Sequence, residues 1–208
     1  MRKLLTTTLT IMLAITSTAI ATPVEAMSLD MPAFLHMQAN IIEADEEYSQ
    51  IMVRGAVGGE TVMLNISSQT FVVDALTGQN TTLAKRIGDK VDVYYSSANT
   101  HSYLQTGDAL AVLVNIPPGY LPPWFHIADR IAIDDNEDLR VLVDNDGVVI
   151  KISGDTNTTT SLTTSTGQET ASSQLTEGSP LLMWYETVAL SYPAQATASR
   201  VVLLIHED

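Results

Sequence analysis

Three groups of residues carry side chains able to bind or react: four histidines, two acidic runs and an abundance of serine and threonine hydroxyls. The histidines are His36, His101, His126 and His206. None stands in HxH or HExxH spacing, so no zinc-type ligand pair is expected. The chain has no GxSxG turn, no P-loop and no GxGxxG. Serine is plentiful, but a hydroxyl becomes a nucleophile only beside an activating base, and no serine has such a setting. No catalytic residue and no cofactor is therefore expected.

The acidic runs are Glu43, Asp45, Glu46 and Glu47, and Asp134, Asp135, Glu137 and Asp138. Clustered carboxylates usually form solvated turns. The sharper reading is weak Ca²⁺ binding, with Asp45, Glu46, Asp134, Asp135 and Asp138 as ligands. Asp144, Asn145 and Asp146 begin like an EF-hand loop, but Val148, Val149 and Ile150 stand where later oxygen ligands are needed. Tyr94, Tyr103, Tyr120 and Trp184 form another candidate set, a platform on which a sugar ring could stack.

The elements that must position these residues follow from composition and repetition. Thr and Ser are abundant and only 16% of residues are charged, a bias toward extended structure. Cysteine is absent, which removes disulfides, thiolate metal sites and cysteine nucleophiles. The net charge of −14 opposes binding to nucleic acid and to anionic lipid. At the N-terminus, Arg2 and Lys3 precede an apolar, Thr-rich run from Leu4 to Ile20, the pattern of an export signal. Cleavage is expected after Ala21, with Ala26 as the alternative end, leaving no membrane attachment.

A duplication organises the rest. Leu64-Asn65-Ile66-Ser67 is echoed by Ile150-Lys151-Ile152-Ser153, and Thr77-Gly78-Gln79 by Thr166-Gly167-Gln168. Gly88-Asp89 with Val93-Tyr94-Tyr95 matches Gly178-Ser179 with Met183-Trp184-Tyr185, and Ala109–Ile116 matches Ala198–Ile205. The offsets are 86, 89, 90 and 89 residues. The repeat overrides a tempting reading of residues 153–176, whose 14 Ser and Thr look like a stalk but align with strand and turn in copy one.

Each copy holds five or six short strands, which suggests a small barrel. In copy one they are residues 35–44, 50–54, 60–66, 70–73, 90–95 and 109–116, with a helical turn at 81–87. In copy two they are 130–133, 139–143, 148–152, 181–188 and 200–205. Val91, Val93 and Tyr95 share one strand face; Lys90, Asp92 and Tyr94 share the other. Residues 109–116 are apolar except for Asn115, as in a strand buried on both faces. The fold class expected is all-β: two tandem small barrels, OB-like or sandwich-like, joined by a Pro-rich linker. The domains are residues 35–116 and 127–208. The linker, residues 117–126, reads as a stiff spacer because Pro117, Pro118, Pro122 and Pro123 restrict it.

Residues 22–34 read as a flexible arm ahead of the first strand. Pro23, Phe34, Leu35, Met37 and Ile41 are the candidates for donating a strand to a neighbouring subunit and building fibres.

The segments Asn65-Ile66-Ser67, Val72-Val73-Asp74-Ala75-Leu76-Thr77-Gly78, Ile87-Gly88-Asp89-Lys90-Val91 and Tyr94-Tyr95-Ser96 resemble tandem β-repeat modules of exported Firmicutes-type proteins. So does the stretch from Val188 to Ala196. Such modules often accompany a domain similar to the N-terminal domain of copper amine oxidases, which no part of these 208 residues resembles. The resemblance implies a structural module without catalytic residues. The expected function is a secreted, non-enzymatic structural or interaction protein of the cell surface or matrix. A filament subunit is one form of it, and a binding module for cell-wall polymer, carbohydrate or Ca²⁺ is the alternative.

Overall fold

The computed structural model describes residues 34–45, 49–83, 87–97, 105–133, 139–143, 148–153, 159–189, 191 and 194–206. Copy one contains β1 (Phe34–Asp45), β2 (Gln50–Gly55), β3 (Thr61–Asn65), β4 (Phe71–Asp74), β5 (Lys90–Ser97) and β6 (Gln105–Val114). Copy two contains β7 (Trp124–Ile133), β8 (Leu139–Val143), β9 (Val149–Ile152), β10 (Ser161–Thr164), β11 (Pro180–Trp184), β12 (Val188–Ala189), β13 (Gln195–Thr197) and β14 (Arg200–Leu203). A three-residue 3-10 turn, Ser172–Gln174, lies between β10 and β11. Among the described residues no helix is long and apolar enough to cross a membrane.

The all-β expectation holds. In copy one the order β3-β2-β1-β5-β6 closes on itself because β6 also pairs in parallel with β3, Gln105–Asp108 against Val62–Asn65. The far half of β6 carries β4 as a parallel neighbour. Copy two repeats this ring as β9-β8-β7-β11-β14, closed by a parallel pairing of β13 with β9. There the counterpart of β6 is interrupted at Ala198 and Ser199, which divide it into β13 and β14. Closure matters because an unpaired strand edge invites association.

The duplication reaches single hydrogen bonds. The buried Thr70 hydroxyl accepts from the Ser67 amide at 3.0 Å and donates to the Ala109 carbonyl at 2.7 Å. The Thr160 hydroxyl does the same with Ser153 and Ala198 at the same two distances. The Gly88 amide donates to Ile41, and the Gly178 amide to Ala128, both at 2.7 Å.

Each copy encloses its own core. Ile41, Ile51, Val53, Val62, Leu64, Val91, Val93, Tyr95, Val112 and Val114 fill the first. Val141, Ile150, Ile152, Leu175, Leu181, Met183 and Val201 are among those that fill the second. A third apolar cluster joins the copies: Val73, Tyr94, Ala111 and Leu113 from one, Phe125, Leu182, Val202 and Leu204 from the other. Alternation explains it. Residues 91, 93 and 95 of β5 point into the barrel, so 92 and 94 point out, and that outer face meets copy two rather than water.

Several expected boundaries change. Trp124, Phe125 and His126 belong to β7, so the connection shortens to residues 117–123 and copy two begins earlier than 127. The connection is a strap across docked copies, not a spacer: Trp184 Nε1 donates to the Tyr120 hydroxyl at 2.9 Å. The expected helical turn at 81–87 is not a helix in its described residues, since Thr81–Leu83 are irregular and Ile87 and Gly88 form a turn. The strand expected over 181–188 ends at Trp184. Within the Ser/Thr-rich tract, residues 161–164 form β10, as the alignment with copy one requires.

Candidate functional site

Where the outer faces of β1 and β5 meet the start of β7 and the end of β11, packing leaves a cleft of about 650 Å³. Copy one supplies His36 and Gln38 from β1 and Asp92 and Tyr94 from β5. Copy two supplies Trp124 from β7 and Met183, Trp184, Tyr185, Glu186 and Ser199 around the end of β11. The strap contributes Gly119, Tyr120, Leu121 and Pro122.

The walls are aromatic. His36 stacks on Tyr94 with ring centroids 4.5 Å apart and planes 18° apart, and meets Trp124 edge-on at 5.5 Å. Trp124 in turn lies nearly parallel to Tyr185 at 6.4 Å. Behind Tyr185, His126 lies almost parallel to its ring, and His126 Nε2 is 3.0 Å from its hydroxyl. Trp184 is held from both sides, by its bond to Tyr120 and by the Arg200 guanidinium 4.5 Å from its ring centre. Arg200 is itself fastened to the Leu76 and Thr77 carbonyls. Burial lowers the pKa of that guanidinium, partly offset by Tyr120. Trp124 remains 43% exposed, so part of its indole is open to solvent.

The polar floor is a histidine–carboxylate pair. His36 Nε2 lies 2.5 Å from Asp92 Oδ1, and Asp92 is only 1% exposed. Strand register places Pro123 and Leu182 of copy two where copy one has His36 and Asp92. The pair is therefore not a feature of the repeat itself; it occurs on the copy-one side of the junction alone. A second trough of about 530 Å³, lined by Lys151, Thr187, Gln195 and Thr197 among others, shares Tyr185, Glu186 and Ser199 with the cleft.

The sequence-level candidates fall out as follows. Tyr94, Tyr120 and Trp184 come together at the cleft, although Tyr94 is 2% exposed and serves as a wall rather than a platform. Tyr103 and His101 lie outside the described residues. His206 stacks on Phe71 at 4.1 Å, away from the cleft lining. Of the Ca²⁺ candidates, Asp45 ends β1 opposite Gln50, while Glu46, Asp134, Asp135 and Asp138 lie outside the described residues. Among the described residues no three His, Asp or Glu side chains are grouped for a metal ion.

Of the assembly-arm candidates, Pro23 lies outside the described residues. Phe34, Leu35, Met37 and Ile41 sit in β1 rather than in an arm: the first three pair with β5, and Ile41 pairs with Val53 of β2. Ile41 is 2% exposed inside the first core. Donating β1 would dismantle its own barrel, because it is a central strand.

The residues missed by sequence reading are Asp92, Tyr185 and Glu186, together with the pairing of His36 with Asp92. The available signal was the out-facing Asp92 beside Tyr94 on a strand whose other face is apolar.

No family model matches the chain, and no curated protein matches it. Among solved structures, Ag(I)-bound CusF is 17% identical and is covered over its full length by 40% of this chain, with a TM-score of 0.27. Apo-CusF from Escherichia coli is 20% identical, with 98% of it covered by 44% of this chain and a TM-score of 0.29. A Cu(II)-bound tryptophan variant of the same protein is 18% identical, 95% covered by 41% of this chain, with a TM-score of 0.28. Likeness at this level carries no argument about the site.

Proposed function

We propose that this chain is an exported, non-enzymatic binding module that holds a segment of a surface carbohydrate in the cleft between its two barrels. One observation carries the reading: aromatic rings, with the half-exposed Trp124 among them, and polar groups converge on a single cleft. Its volume falls within the range of about 300–1,000 Å³ usual for ligand sites. A saccharide ring has the complementary surface, with C–H faces that pack on aromatic rings and hydroxyls at its rim. Gln38, Glu186 and Ser199 offer hydrogen-bonding groups for such a rim. The trough beyond Tyr185 gives a polymer a path out of the cleft.

Rigidity supports the same reading. Trp184 is braced by Tyr120 and Arg200, and Asp92 is engaged by His36, so less order must be gained when a ligand arrives. The non-enzymatic part of the reading rests on the missing reaction motifs and on the prior engagement of Asp92.

The test is calorimetric titration and pull-down with soluble oligosaccharides and insoluble cell-wall polymer. Binding is expected, with Trp124→Ala losing it while thermal stability is kept. A protein that binds no carbohydrate or wall polymer, with its folded state verified, refutes the reading.

A further inference from the structure

The cleft has a sign as well as a shape. Its two carboxylates, Asp92 and Glu186, share the lining with no lysine or arginine among the described residues, although Glu186 also borders the trough that holds Lys151. Against these two carboxylates the described lining sets only His36, whose ring is hydrogen-bonded to Asp92. The Arg200 guanidinium is drawn to Trp184 and the carbonyls of residues 76 and 77 and takes no place in the lining. Lys151 lines only the neighbouring trough.

Aromatic faces reinforce this sign. The face of an indole or phenol ring carries the negative lobe of its quadrupole, so Trp124 and Tyr185 attract a cation placed over them. The whole chain adds a field of the same sense, with a net charge of −14. A polyanion is repelled at every range, and a neutral sugar uses only the shape.

We infer that the group bound in the cleft is cationic: a sugar bearing a free, protonated amine, seated over the Trp124 and Tyr185 rings with Glu186 and Asp92 as counter-charges. This rests on the carbohydrate-binding reading and narrows it to a ligand class.

The experiment compares three oligosaccharides of equal length against the full chain: glucosamine oligomers with free amines, the fully N-acetylated oligomers, and oligouronates. All are titrated at one pH at which the free amines are protonated. The amine form is expected to bind about tenfold more tightly than the acetylated form, with the oligouronate not binding. Added salt should shrink that preference. Glu186→Gln, at an exposed position, should reduce it with the melting temperature unchanged, and Asp92→Asn gives a second readout at the floor. Equal binding of amine and acetylated oligomers, or a preference untouched by Glu186→Gln, overturns the inference while leaving carbohydrate binding intact. Absence of binding by all three overturns both.

Discussion

Gly78 sits at a close approach between the copies, and replacing it by alanine tests whether that junction carries stability. Two costs follow from the geometry. The backbone at Gly78 has φ of 67°, a conformation that costs an L-residue about 1–2 kcal/mol. The new Cβ would also lie 2.8 Å from Val202 Cγ2 and 2.9 Å from Trp184 Cη2, well inside van der Waals contact. Forcing a methyl group into packed surroundings costs about 1–3 kcal/mol more. The expected loss for Gly78→Ala is thus about 2–5 kcal/mol, a large share of the roughly 5–15 kcal/mol that holds a typical domain folded.

Gly58→Ala is the control. Its φ is 83°, but nothing lies within 4 Å of the added Cβ. It should show the backbone cost alone, and the stiffening of the unfolded chain is common to both variants. Urea titration followed by tryptophan fluorescence gives the two losses. The difference between them should be about 1–3 kcal/mol, with m unchanged. Equal losses in the two variants would refute the claim that the copies are pressed together at Trp184 and Val202.

Three further outcomes are expected. Thr70→Val and Thr160→Val each strand an amide and a carbonyl, so each should cost about 1–3 kcal/mol in the same assay; a large loss in one copy only would deny that the device is equivalent in both. Burial pushes the Asp74 carboxyl up, but hydrogen bonds from the Asn115 side chain, the Thr77 and Leu76 amides and the Thr77 hydroxyl outweigh it and hold its pKa below the usual value. A folded pKa below the unfolded one gives stability that is complete above the ordinary carboxylate range and is lost as pH falls through the lowered value. The urea midpoint should therefore fall less steeply with acid in Asp74→Asn than in the parent, and parallel curves would contradict the assignment. Trp184→Phe removes the bond to Tyr120 that pins the strap and should cost about 1 kcal/mol in the urea assay, with an unchanged midpoint refuting that role.

Strand content was legible because its cause is local. Alternation in residues 90–95 assigned Val91, Val93 and Tyr95 to one face, and they do face the first core. The matched Ser67 and Ser153 led correctly to a folded Ser/Thr-rich tract. The cleft was not legible, because it depends on which outer faces meet. Asp92 and Tyr94 share the face opposite the barrel core, yet Tyr94 packs in one cluster with Phe125 and Leu182, from about 30 and 90 residues away in the chain. One sign was present: residues 109–116 are apolar on both faces, which a lone small barrel does not require. Ala111 and Leu113 supply the second face at the junction. The start of β7 was missed because the prolines just before it resemble a continuing linker, although Trp124, Phe125 and His126 are good strand formers.

The parallel closures set an order of assembly. A chain emerging N-terminus first can zip β1 to β2 and β2 to β3 through short turns, but its ring stays open until Gln105–Asp108 arrive to meet β3. Even then the outer stripe of Tyr94, Ala111 and Leu113 is completed only when Phe125, and later Leu182, Val202 and Leu204, follow from copy two. Slow-forming, long-range contacts of this kind leave sticky surface on display during synthesis. Keeping the chain unfolded until all of it has been delivered would suit this architecture better than folding each half as it appears.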